Sequence, residues 1–354
     1  MEKITFARIG NYTPFLKIFL EELGFEVVLP EKTTSKIIAE GSKNSPEMFC
    51  FPFKVNMGSY LLALEKGIGK IFMVTSNCGS CRLRYYAQVS QKILEEKNFP
   101  VDFVIFDQNF LDIIQKLKKM TKKSSFKILS LLLGFLKEIR FVEKLERMTF
   151  FLRPREINKG ETDKILDDFF SRLEKLKGVD NLKKEKKEVL NKILKVKYQK
   201  KEVPKVGIVG EIYTVIDPEV NFQVEKKLGN FGLEVHRDMT LSYHLLKKIF
   251  FTDFFIQRKI DHYLKSTVGG HGRDAVFEML KYSKKNFSGI VQLLPFSCMP
   301  EVTIRPILLK IHQETNIPFL SLSFDEQTAE AGLETRLEAF VDVVNSYFEA
   351  RIKK

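Results

Sequence analysis

Short apolar runs alternate with amphipathic stretches over the first hundred residues. Positions 4–9 form an apolar run that ends at Gly10. Phe15, Leu16, Ile18, Phe19, Leu20 and Leu23 then recur at helical spacing, and Gly24 stands where a helix of that length stops. A second strand is predicted over 25–29, a helix over 60–65 broken by Gly67 and Gly69, and a buried strand over 71–74. A helix over 82–97 and a strand over 101–106 follow. Strands alternating with helices predict a parallel sheet.

From about residue 111 to 201 strand signal is nearly absent, and helical periodicity dominates, as in Ile165, Phe169, Phe170, Leu173 and Leu176. The βαβ pattern returns with a run at 206–209, Gly210, a helix through Leu228 and a strand at 233–236. Strands follow at 290–294 and 318–324. The second pattern resembles the first. Ile9-Gly10 is matched by Val209-Gly210, and strands 71–74 and 290–294 each run into a cysteine. The expected architecture is α/β, with lobes at 1–115 and 206–354 whose sheets are parallel. A lysine-rich helical arm at 116–205 joins them.

Charge sharpens this division. The net charge is +13 over 354 residues. Residues 116–205 hold 27 Lys and Arg against 13 Asp and Glu, and the remainder holds 31 against 32. The excess therefore sits on the arm, where it reads as a solvated helical face or a docking face for an acidic partner. No zinc-finger, helix-turn-helix or aromatic RNA-binding signature accompanies the lysines, so no nucleic acid is expected. The longest apolar run, near 128–136, is too short to span a bilayer, so no membrane is expected. The N-terminus reads as a strand, not a signal peptide, and a cytoplasmic location is expected.

The chemistry points to the cysteines: Cys50, Cys78, Cys81 and Cys298. Cys78-Gly79-Ser80-Cys81 follows a strand, and a two-residue gap lets both thiolates meet one metal centre. Cys298 also lies just past a strand, and Cys50 lies in a turn bracketed by Pro46 and Pro52. Ligands of open α/β sheets bind outside the carboxyl ends of the strands. Thiolates suit iron–sulfur clusters and zinc alike, and a lone CxxC also fits a redox pair, so the residues alone leave these readings open. Lys54 and Arg82 are cations beside the presumed ligands and would favour a reduced cluster.

Five stretches carry a resemblance. They are Ser45 to Lys54 with Cys50-x-Pro52, Asn77-Cys78-Gly79-Ser80-Cys81-Arg82 with Tyr85 and Tyr86, Gly269-Gly270-His271-Gly272, Pro295 to Glu301 around Cys298, and Asp325 to Gly332 with Arg336 to Phe340. Through them the chain resembles the acyl-CoA dehydratase activase-related proteins, or "CoA protein activases". These are relatives of the 2-hydroxyacyl-CoA dehydratase subunits and double-cubane-cluster proteins. The resemblance implies a cluster held by cysteines in a cleft between Rossmann-like lobes. It also implies electrons from an ATP-hydrolysing activator or reductase, a CoA-ester substrate to be reduced or dehydrated, and paired subunits, here a homodimer. Four cysteines are too few for a double cubane and favour one [4Fe–4S] cluster, with Cys50, Cys78, Cys81 and Cys298 as the ligand set. Three ligands would leave an iron open for catalysis, and four would suit an electron relay or activator-associated module. A zinc-stabilised binding protein is the third alternative.

No Walker A pattern is present. Gly269, Gly270 and Gly272 can cradle a phosphate or a CoA group, or simply form a turn. No motif fixes a catalytic residue. His271, which titrates near neutrality, and Glu301, after the Cys298 turn, are the candidates for proton transfer. Asp325, Glu326 and Glu330 read as helix capping.

Overall fold

The computed structural model describes residues 3–75, 81–107, 109–249 and 253–352. The chain forms two compact units, one of residues 1–142 and 168–188, the other of 143–167 and 189–354.

The first unit runs β1 (Lys3–Phe6), a 3₁₀ turn (Gly10–Tyr12), α1 (Thr13–Glu22), β2 (Glu26–Val27), α2 (Ser35–Lys43), α3 (Phe51–Leu64) and β3 (Lys70–Thr75). A second 3₁₀ turn (Arg82–Tyr85), α4 (Tyr86–Glu96), β4 (Asp102–Asp107) and α5 (Phe110–Thr121) follow. The sheet order is β2-β1-β3-β4, all parallel. A parallel sheet buries both faces, and β3 shows it. Ile71 and Met73 pack with Phe53, Met57, Tyr60 and Leu64 of α3 and with Tyr86 and Leu94 of α4. Phe72 faces the other way, onto Ile4, Phe6, Phe19, Leu20, Leu23 and Leu117.

Two features here depart from the sequence expectation. The helix expected at 60–65 starts nine residues earlier, immediately after Cys50. Pro52 lies in its first turn, where the missing N–H has no helical partner to lose. The turn at Cys50 therefore becomes a helix N-terminus. α2 is the second surprise, and it crosses α3 backbone to backbone at Gly41 and Gly58. A methyl on Gly41 would fall on the Lys54 carbonyl, and one on Gly58 on the Ile37 carbonyl. This glycine contact seats the amino end of α3, and Cys50 with it.

The middle of the chain is helical as expected: α6 (Ser125–Leu152), α7 (Glu161–Lys175) and α8 (Leu182–Lys195). In the first unit Arg172 pairs with Asp168, Glu185 and Glu188, and Lys186 with Glu138. In the second, Arg153 and Asp163 form a buried pair at 2.8 Å.

The second unit continues with β5 (Lys205–Gly210), α9 (Ile212–Ile216), α10 (Val224–Asn230), β6 (Glu234–Arg237), α11 (Leu241–Ile249) and α12 (Asp253–Ile260). It ends with α13 (Gly272–Ser283), β7 (Gly289–Pro295), α14 (Met299–Thr315), β8 (Phe319–Phe324) and α15 (Glu330–Ile352). Its order, β6-β5-β7-β8, all parallel, repeats that of the first unit. Each unit thus winds one way from its first strand and then the other. The point of reversal falls between β1 and β3 in one unit and between β5 and β7 in the other. Crevices at such switch points, at the carboxyl ends of the strands, are where open α/β sheets bind ligands. No helix among the described residues is long and apolar enough to cross a membrane.

Candidate functional site

In the first unit Cys50 is the N-cap of α3, with Pro52 in the first turn, and Cys81 is the N-cap of the 3₁₀ turn after β3. Cys50 is buried and Cys81 half-buried. The Cys50 Sγ lies 2.7 Å from the Tyr86 hydroxyl. Phe49, Phe53 and Tyr86 wall this sulfur with mutual ring contacts. The Arg82 guanidinium donates to the Met48 carbonyl, tying the segment before Cys50 to the turn after β3. Lys54, one turn into α3, is almost wholly buried. Cys78, Asn77 and Gly79 lie outside the described residues. Tyr85, singled out in the sequence, is exposed and stacks under Arg84. Its neighbour Tyr86 is the one that meets a cysteine, and the sequence offers no signal to choose between the two.

In the second unit Cys298 is the N-cap of α14, again with a proline, Pro300, two residues on. The chain reaches it through Ser297 at φ +61°, with the Cys298 amide donating to the Pro295 carbonyl at 3.1 Å. Cys50-Phe51-Pro52 and Cys298-Met299-Pro300 are therefore the same device. The sulfur sits at the positive end of a helix, and proline removes the second-position N–H that usually bonds to a capping side chain. Neither sulfur caps its own helix.

Glu301, in the first turn of α14, is fully buried. One carboxyl oxygen accepts from the Gln292 amide of β7 at 3.0 Å, and Gln292 in turn accepts from Ser321 of β8 at 2.9 Å. The other oxygen has no hydrogen-bond partner. Burial, opposed by the Gln292 bond and reinforced by Glu211 and Asp274, pushes its pKa up to about 8. Glu301 is thus a protonated acid at neutral pH. Glu211 begins α9 at the end of β5 and accepts from the amides of Tyr213 and Thr214. Burial outweighs these bonds and raises its pKa too.

His271 is the N-cap of α13, and its Nε2 lies 3.1 Å from Nδ1 of His244 on α11. The glycines beside it serve packing. A methyl on Gly270 would press on Pro300, and one on Gly272 on Val268 and Ile304. This close fit brings the glycine loop, and so His271, onto the first turn of α14 near Cys298 and Glu301. Asp274, in the first turn of α13, is buried with its carboxylate on Lys247 at 2.6 Å. The acidic residues after β8 behave as turn and surface groups: Asp325 accepts from Gln327 and Thr328, and Glu330 pairs with Lys227.

The repeat of strand order aligns these positions. The helix before the third strand starts at Cys50 in one unit and at His271 in the other. The turn after the third strand ends at Cys81 in one and at Cys298 in the other. Among the described residues no three His, Cys, Asp or Glu side chains converge as a metal site.

These features define a protein of two parallel α/β units with cysteines at N-cap positions on the carboxyl edges of the sheets. Residues 8–76, from the end of β1 through β3 and including Cys50, match the family described as CoA enzyme activase uncharacterised domain (DUF2229). This stretch of the first unit is similar to a CoA enzyme activase domain. No curated protein matches the chain.

Proposed function

We propose that the chain is an iron–sulfur protein related to the 2-hydroxyacyl-CoA dehydratases, with Cys50, Cys78, Cys81 and Cys298 as ligands of a [4Fe–4S] cluster. The observation that carries this reading is the repeated Cys-x-Pro at helix N-termini. A cysteine binds a metal as its thiolate, and a helix N-terminus lowers a thiol pKa. The donor set also fits. It is all sulfur, as such clusters require, and Cys50 and Cys298 are shielded from bulk water. When bound, the cluster would supply one-electron reduction.

The chain's own residues tune and serve that site. Against a Cys50 thiolate ligand the Tyr86 hydroxyl, 2.7 Å away, would be the donor, drawing charge from the sulfur and raising the reduction potential. Lys54, four residues after Cys50, and Arg82, directly after Cys81, would add positive charge and favour the reduced form. Glu301, protonated at neutral pH, holds a proton three residues beyond Cys298 and is the proposed acid for a leaving hydroxyl. His271 and His244 share one proton across their bond, since one ring nitrogen must donate and the other accept. The proposed substrate is a CoA thioester, and the proposed electron donor is an ATP-hydrolysing activator.

The test is iron, acid-labile sulfide and EPR on protein purified without oxygen. About four irons and four sulfides per chain, reduced in Cys50→Ala, with a potential lowered in Tyr86→Phe, are the expected results. A signal that changes on adding a CoA thioester marks catalysis, and an unchanged one marks a relay. Stoichiometric zinc, or iron retained in every cysteine variant, overturns the reading.

A further inference from the structure

The stretch from α5 into the start of α6 carries chemistry that the cysteine site does not use. Residues 113–137 contain seven lysines and neither an acidic residue nor an arginine. Lys116 reaches back to Asp112, while Lys118, Lys119, Lys122, Lys127 and Lys137 are exposed. The second residue of α6 is Phe126, 82% exposed. It is not a core residue out of place. The inward side of α6 is filled by Ile128, with Leu131, Leu132 and Phe135 packed behind it. Leu133 joins Phe126 on the outside, half exposed.

The kind of cation distinguishes between partners. Protein interfaces favour arginine and are depleted in lysine. Readout of nucleic-acid bases, like that of carboxylates, exploits the planar fork of arginine. A layer of anionic lipid headgroups needs no fork and no shape complement. It attracts clustered lysines and accepts an apolar side chain into its upper acyl region. Elsewhere in the basic segment Arg172 and Lys186 are matched by acids. Between 113 and 137 the sequence supplies none, and Asp112 just before it pairs with Lys116.

We propose that the α5–α6 segment docks the protein reversibly on anionic membrane surfaces. Phe126 inserts at the headgroup boundary, and the flanking lysines lie against the phosphates. The chain then rests on a bilayer without spanning it.

The experiment uses the full chain and vesicles of equal parts phosphatidylcholine and phosphatidylserine, with pure phosphatidylcholine as the contrast. The protein has no tryptophan, so Phe126→Trp provides a single emission reporter at an exposed site that leaves the core intact. Expected are co-sedimentation with the anionic vesicles only, weakening with added salt, and a blue shift of the Phe126→Trp variant's emission on binding. Phe126→Asp, and separately the pair Lys122→Glu and Lys123→Glu, should each lower the affinity at least about tenfold, with helical circular dichroism unchanged. No binding to anionic vesicles overturns the proposal. So does binding without a blue shift and indifferent to Phe126→Asp. Retention on double-stranded DNA with no vesicle binding overturns it too, and assigns the lysines to nucleic acid.

Discussion

Two buried acids in the second unit hold free energy that depends on pH. Glu301 has its pKa pushed up to about 8, above the ordinary 4.5. The folded state therefore keeps a proton that the unfolded chain releases. Stability is undiminished below about 4.5, falls as pH rises from there, and stops falling above about 8. Glu301→Gln keeps a neutral group and the acceptor for Gln292, so denaturant unfolding of this variant should lose less stability between pH 5 and 8 than the parent. An unchanged pH slope would show that Glu301 is ionised in the fold. Glu278 on α13 is the stricter case. Both its carboxyl oxygens are buried without hydrogen-bond partners. Burial, then Asp274 and Asp238, raise its pKa well above the ordinary value. A buried polar group without a partner costs about 1–3 kcal/mol. Glu278→Met removes that cost at similar volume and should raise the unfolding midpoint at pH 8. A lower midpoint would mean that the carboxyl has a partner worth keeping. Neither burial was legible in the sequence. An acid three residues after a turn reads as a helix-start charge, and only packing by Gln292 and the sheet reveals otherwise.

At the scale of elements, glycine acts in opposite senses within one unit. Gly41 and Gly58 let α2 and α3 touch backbone to backbone. Gly58→Ala forces those helices apart and should cost about 3 kcal/mol or more, the upper part of the usual overpacking range. It should also disturb Cys50, which that contact seats, detectable as faster alkylation of its thiol. Gly134, inside α6, meets nothing within 4 Å. Gly134→Ala should therefore stabilise by about 0.5–1 kcal/mol through helix propensity alone. If both variants shift the unfolding midpoint the same way, the packing account fails. The strands were legible in the sequence, because apolar runs ending at Gly10 and Gly210 signal βα turns whatever surrounds them. The amino end of α3 was not. Pro46 and Pro52 flank Cys50 and look alike, and only local backbone geometry separates a turn proline from a first-turn helix proline. The Gly41–Gly58 crossing is invisible for another reason. It depends on two distant positions meeting, and neither means anything alone.

For the molecule as a whole, the two units share a strand order but not a residue set. The first unit has cysteines on both sides of its switch point, Cys50 before β3 and Cys81 after it. The second has His271 before β7 and Cys298 after it. If the first unit is the main seat of the proposed cluster, its thiols should respond together and Cys298 should report separately. Alkylation followed by mass spectrometry can read all four at once. In metal-free protein Cys81, half-buried, should react well before Cys50 and Cys298, both nearly closed to solvent. After anaerobic loading with iron and sulfide, Cys50, Cys78 and Cys81 should become protected as a set, with about the same dose dependence. Protection of Cys298 at that same dose makes it the fourth ligand. Its unchanged slow reactivity leaves three ligands and an open iron suited to substrate. If Cys81 stays reactive while iron is bound, the metal lies elsewhere, and the cysteines at the N-cap positions are structural.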